Sequence, residues 1–120
     1  MRGLRPTKVA FKIGSLENVN NVADQLIGWK DIKYGEFGKI VLEAKIVQPA
    51  GSDESANSLT LFWAFCSEKL SDPGQAPTLL EKSEASLVCN LVNASAGSTT
   101  RYYHTDVMEP KGPFIYVWCD

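Results

Sequence analysis

Two stretches, Lys39-Ile-Val-Leu-Glu-Ala-Lys-Ile-Val-Gln48 and Leu59-Thr-Leu-Phe-Trp-Ala-Phe-Cys-Ser67, decide the fold class. In the first, Ile40, Leu42, Ala44 and Ile46 point one way, and Lys39, Glu43 and Lys45, with Val41 and Val47, point the other. This period of two is that of a half-buried strand. The second stretch is apolar on both faces, the mark of a strand in the middle of a sheet with cover on each side. Between them, Pro49–Ser58 is rich in Gly, Ser, Asp, Glu and Asn and reads as a flexible hairpin loop.

The rest of the chain builds around this pair. Lys8–Ile13 reads as a short strand ended by Gly14-Ser15. Leu16, Val19, Val22, Ala23 and Leu26 recur at helical spacing behind Ser15 as a candidate cap, but the Asn and Asp residues of Asn18–Asp24 favour a loop, so a helical turn and an irregular loop are both open. Leu26–Lys33 is a further strand, and Gly35–Gly38 a turn. Ser71-Asp-Pro-Gly74 is a strong turn signal. Thr78–Ala85 stays ambiguous, with Pro77 able to open a helix and Leu79-Leu80 as its buried edge. Ser86–Val92 is a strand with Leu87, Cys89 and Leu91 opposite Val88 and Val92. Asn93–Thr100 is a small-residue loop. Arg101–Met108 and Pro113–Cys119, flanking Glu109-Pro-Lys-Gly-Pro113, are expected to form an antiparallel hairpin. In the last strand Phe114, Tyr116 and Trp118 share one face, and Ile115, Val117 and Cys119 the other. Six to seven short strands with frequent turns and at most one short helix predict an all-β antiparallel sandwich of jelly-roll type. Residues 8–120 form its single domain, with Met1–Thr7 as a flexible arm.

Composition narrows the function. The 120 residues suit one domain, and the net charge of −2 with scattered Lys and Arg argues against nucleic acid as partner. Met1-Arg-Gly-Leu-Arg-Pro6 has no apolar core of a secretory signal, and no apolar run approaches the ~20 residues that span a bilayer, so no membrane partner is expected. Cys66, Cys89 and Cys119 stand 23 and 30 residues apart, inside apolar strands and without a C-x-x-C, which reads as buried free thiols in a reducing cytosol rather than zinc ligands. Asn93-Ala-Ser95 matches a glycosylation sequon by chance.

Candidate chemistry is thin. His104 is the only histidine, and although Asp106 shares its strand face, that spacing is too loose for a catalytic triad; a rim histidine is the simpler reading. Asp53-Glu54 sits in a polar loop without the spacing of a calcium loop. Glu36, Glu43, Glu68 and Asp72 invite a glycosidase pair, but such an enzyme needs a large cleft. Gly35-x-x-Gly38 lacks the strand–glycine–helix context of a phosphate loop. We therefore expect no enzyme, no catalytic, cofactor or metal residues and no cofactor. Trp29, Tyr34, Phe37, Tyr102 and Tyr103 are the other candidates, as a platform for sugar stacking or as core and interface residues.

The order of segments carries a resemblance. Gly14–Ala23 precedes a strand ending near Ile32; the alternating strand Lys39–Gln48 follows, then Leu59–Ser67, the Ser-Asp-Pro-Gly turn, Arg101–Met108 and Pro113-Phe-Ile-Tyr-Val-Trp118. Over residues 14 to 118 this resembles small β-sandwich structural proteins of tailed bacteriophages, notably capsid decoration (cement) proteins and related head or tail accessory proteins. Such proteins often continue past the last aromatic strand; without that continuation a sheet edge is left open or is completed by a neighbour. The resemblance implies a virion protein, assembled in the host cytoplasm, that stabilises the head by non-covalent contact with the major capsid protein or other virion proteins, commonly as a homotrimer. It implies no binding residue by position. Met1–Thr7 would be a contact arm or plain disorder, and the loops Pro49–Ser58 and Asn93–Thr100 outer tips or contact loops. The alternative function is a carbohydrate- or peptide-binding β-sandwich module.

Overall fold

The computed structural model describes residues 10–17, 24–33 and 38–119. It is an antiparallel β-sandwich of unequal halves. The strands are β1 (Gln25–Asp31), β2 (Glu43–Gln48), β3 (Ser58–Cys66), β4 (Leu87–Asn90), β5 (Thr99–His104) and β6 (Phe114–Cys119). A four-stranded sheet runs β1-β6-β3-β4, and β2 pairs with β5 in a two-stranded sheet.

The two-sided apolar strands take the middle, as their pattern requires. β6 and β3 pair from Leu61–Cys119 to Cys66–Phe114. The inner face of the large sheet, with Leu61, Trp63, Leu87, Cys89, Ile115, Val117 and Cys119, packs on Leu42, Ala44, Ile46 and Tyr103 from the small sheet and its approach. On the outer face Ala64, Tyr116 and Trp118 are buried with Ala76, with Leu70 and Leu80 packed against them. That cover is the connection from β3 to β4, which holds a 3-10 turn (Pro73–Gln75) and a single helical turn, α1 (Ala76–Leu79). Asp72 caps the 3-10 turn, its carboxylate accepting from Gly74 N at 3.1 Å. The Tyr116 hydroxyl, which accepts from Leu70 N at 2.8 Å, pins the connection to the sheet. Ser83 then extends the β3 edge beyond β4: its N–H donates to Trp63 O at 2.9 Å, and Trp63 N donates to its hydroxyl at 3.3 Å.

Several expected pairings are not formed. Lys39–Gln48 and Leu59–Ser67 are not a hairpin, because β2 and β3 belong to different sheets. Arg101–Met108 and Pro113–Cys119 are not a hairpin either: β5 pairs with β2 and β6 with β1 and β3. The reason lies in the linkers, which are fastened to their surroundings and carry the chain across the sandwich. Gly112 presses on the backbone of Cys66, where a Cβ would meet Cys66 O at 2.9 Å, and Pro113 O accepts from Ile32 N at 2.8 Å. β1 is the strand expected over Leu26–Lys33, with a bulge between Leu26 and Gly28. Of Lys8–Ile13, residues 8 and 9 lie outside the described residues; from Ala10 to Glu17 only Gly14 pairs, in one bridge to Gly28. The helical option over Leu16–Leu26 stops short, since Asp24 has φ +56° and β1 starts at Gln25; residues 18–23 lie outside the described residues. In α1, Leu80 is partly buried but Leu79 is 65% exposed, so only one of the pair is a buried edge.

Candidate interaction surfaces

The outer face of the small sheet is the largest departure from an ordinary polar surface. Opposite residues of an antiparallel pair share a face, so Glu43 with His104, Lys45 with Tyr102 and Val47 with Thr100 all point away from the core. Beyond the strand ends Ile40 and Met108 exchange backbone hydrogen bonds, and the register moves by one residue between Leu42–Thr105 and Ile40–Met108. Asp106 and Val107 are the exposed residues in that step, across from Val41. The face therefore gathers Val41 (47% exposed), Val47 (60%), Tyr102 (62%) and Val107 (62%), four of the seven exposed large hydrophobics among the described residues. Scattered exposed apolar side chains are normal, but several on one sheet face mark a contact surface. Below it the sheet is held rigidly. Tyr103 donates its hydroxyl to Asn90 O in β4, and the buried Thr105 hydroxyl accepts from Leu42 N at 3.1 Å and donates to Asp106 O at 2.9 Å.

One end of the sandwich is a pair of matched turns. Asp53 Oδ1 accepts from Ser55 N (3.0 Å) and Ser55 Oγ (2.5 Å), and Asn93 Oδ1 accepts from Ser95 N (2.9 Å) and Ser95 Oγ (2.6 Å). The two turns face each other through an Asp53–Asn93 bridge, with Gly51 N bonded to Ala94 O and Ala94 N to Ser52 O. The loop expected to be a flexible hairpin is thus laced to its neighbour. The hydrogen bonds from Ser55, first from its side chain and then from its backbone, hold the Asp53 carboxyl below the ordinary carboxylate range. Behind the turns the buried Gln48 side chain acts as a strand: Nε2 donates to Val92 O and Val92 N donates to Oε1, both at 3.0 Å.

The second surface lies on the side of β1 away from β6, where among the described residues only Gly14 pairs. A cleft of about 490 Å³ is lined by Phe11, Lys12, Trp29, Lys30, Asp31 and Lys33. The Lys30 ammonium sits 5.0 Å from the Phe11 ring centre, and the Lys69 ammonium 4.7 Å from that of Trp29. Trp29 in turn rests on Tyr116 and Phe114, each 6.2 Å away between ring centres. Asp31 meets Lys33 at 3.8 Å. Of this site sequence reasoning named only Trp29, among the candidate aromatics. It read Lys and Arg as scattered, whereas the crossing at Gly14 and Gly28 brings Lys12 beside Lys30 and Lys33. The only local signal was Trp29 with lysines on either side of Asp31.

The remaining candidates are dispersed. His104 is exposed, with Nδ1 donating to the Thr105 carbonyl at 3.0 Å, and Asp106 lies beyond the end of β5. Glu43, Glu68 and Asp72 sit on the small sheet, after β3 and at the 3-10 cap respectively. Tyr102 is on the outer face of the small sheet and Tyr103 packs inward. Tyr34, Glu36 and Phe37, and with them most of Gly35–Gly38, lie outside the described residues, as does Met1–Thr7. Cys66, half-buried, and Cys89, buried, are free thiols, and the buried Cys119 donates its Sγ–H to Gln25 O at 3.6 Å; burial pushes the Cys89 thiol up to about 11. Among the described residues no group of three or more His, Cys, Asp or Glu is placed to hold a metal ion, and no helix is long and apolar enough to cross a membrane. Compared with known proteins, the chain matches no family model, no curated protein and no solved structure.

Proposed function

We propose that this chain is a non-catalytic structural protein of a bacteriophage virion, a capsid decoration (cement) protein, and that the outer face of the small sheet is where it docks. The observation that supports this reading is the row Val41, Val47, Tyr102 and Val107, left exposed on a rigidly backed sheet face between Glu43, Lys45 and His104. An apolar face of this kind suits shape-complementary burial against another protein, with the charged residues setting register. Trimerisation on the virion would multiply a modest contact into a stable clamp. Two measurements test it. Light scattering across a range of concentrations is expected to give a trimer mass, which Tyr102→Lys leaves unchanged while it weakens binding to the particle. Gold-labelled antibody to the chain is expected to decorate the heads of particles banded from a phage lysate. A monomer at every concentration together with unlabelled particles would sink the reading.

The β1 cleft favours the second reading, a binding module, because it pairs an aromatic wall with lysines. The two readings differ in surface: Tyr102→Lys disables the first and leaves the cleft intact.

A further inference from the structure

We propose that the cleft beside β1 binds an acidic, extended peptide segment, which adds as a strand to the β1 edge of the four-stranded sheet, open among the described residues beyond Gly28. This does not rest on the capsid reading, which uses the other sheet.

The edge comes first. β1 pairs with β6 on one side only, and on its other side the single described partner is Gly14, at Gly28. That crossing is close: a Cβ on Gly28 would lie 2.2 Å from Ile13 O, and one on Gly14 2.2 Å from Ile27 O. Beyond it no pairing continues between residues 10–13 and the end of β1, and the cleft opens between them. Ile32 N–H points to Pro113 O, on the β6 side. Backbone groups alternate along a strand, so those of Asp31 face the cleft. An incoming strand finds backbone to pair with, in the manner of β-augmentation.

Charge selects the strand. Among the described residues the cleft carries Lys12, Lys30 and Lys33 against Asp31, a formal excess of +2 in a chain of net charge −2. Asp31 is already engaged by Lys33. Side chains of an added strand alternate between the two faces of the sheet. On one face they meet Lys30 over Phe11, and on the other Lys69 over Trp29, so a carboxylate on either face meets an ammonium and its stem meets a ring. The strand-edge backbone favours a peptide over a polyanion of other backbone, which would use the lysines and leave the edge unpaired.

The test is a nitrogen-15 NMR titration of the full chain with a synthetic octapeptide of alternating glutamate and valine. We expect shifts confined to residues 10–14, 28–33 and the neighbourhood of Lys69, and slowed hydrogen exchange of the Asp31 amide. Affinity should fall about tenfold in the double variant Lys12→Glu, Lys30→Glu, and also when salt rises from about 0.05 M to about 0.5 M. Lys30→Gln, a milder change, should give an intermediate loss. The same peptide N-methylated along its pairing edge should not bind. The proposal is overturned if the N-methylated peptide binds equally well, if the shifts fall elsewhere, or if a sulfated oligosaccharide or an oligothymidylate binds as tightly as the peptide.

Discussion

Single residues carry the joints of this sandwich. Gln48 is the clearest case, since both ends of its amide are bonded to Val92 and the side chain replaces a strand that is not there. Gln48→Ala leaves a backbone N–H and C=O without partners in a part-buried place, a loss of about 1–3 kcal/mol expected from urea unfolding. Gln48→Glu is expected to lose a similar amount above pH 5 or so, because a carboxylate accepts from Val92 N but repels Val92 O. Cys89 makes a second prediction. Its thiol keeps its proton in the folded protein up to about pH 11, whereas an exposed thiol loses it near 9.0. The stabilisation is therefore complete below pH 9 and is lost as pH rises through 11. Urea midpoints measured across that window should fall more steeply for the natural protein than for Cys89→Ala. Equal slopes would remove the thiol from the account.

At the scale of elements, strand identity was legible and strand partnership was not. The alternation in Lys39–Gln48 held in detail, with Ala44 and Ile46 facing the core and Glu43, Lys45 and Val47 facing out. The two faces assigned to β6 are the two faces observed, one in each core cluster. Pairing went wrong twice, at the β2–β3 and β5–β6 connections, because short polar linkers resemble hairpin turns whether or not they fold back. What decides is where the linker is fastened. Pro49–Ser58 is bonded to the Asn93 turn, and Gly112-Pro113 is caught between Cys66 and Ile32. Those contacts join residues far apart in sequence and leave no local pattern. The same holds for the β1 cleft, whose lysines meet only through the Gly14–Gly28 crossing. That crossing yields a third prediction. Gly28→Ala forces two backbones apart, because a backbone carbonyl cannot yield as a side-chain tip can, and overpacking of this sort costs about 1–3 kcal/mol. The cleft should be disturbed as well, seen as amide shifts spreading from β1 into residues 10–14. A variant of unchanged stability would show that the crossing is loose.

Over the whole molecule the sandwich is lopsided, and the imbalance sorts its surfaces. In the large sheet β1, β3 and β6 are covered on both faces, by the small sheet on one and by the β3–β4 connection on the other, while the outer face of β4, with Val88 and Asn90, is exposed. The two strands of the small sheet are covered on one face alone, which leaves the Val41–Tyr102 face to the outside. Among the described residues the largest group of exposed apolar side chains and the lysines of the β1 cleft thus lie on different sheets, so a variant on one surface tests that surface without touching the other. The order of the strands adds a consequence in time. Of the described strands β6 comes latest in sequence yet sits between β1 and β3, with Cys119 beside Gln25. During synthesis β1 emerges first and has no neighbour in its sheet until β6 arrives, while β3 and β4 can pair early. Assembly is therefore a late insertion between waiting halves, with long chain loops to close before the contacts reward it. A growing chain holds two apolar strand edges open until then, and for that interval it is the nascent protein, rather than the finished one, that is exposed to wrong partners.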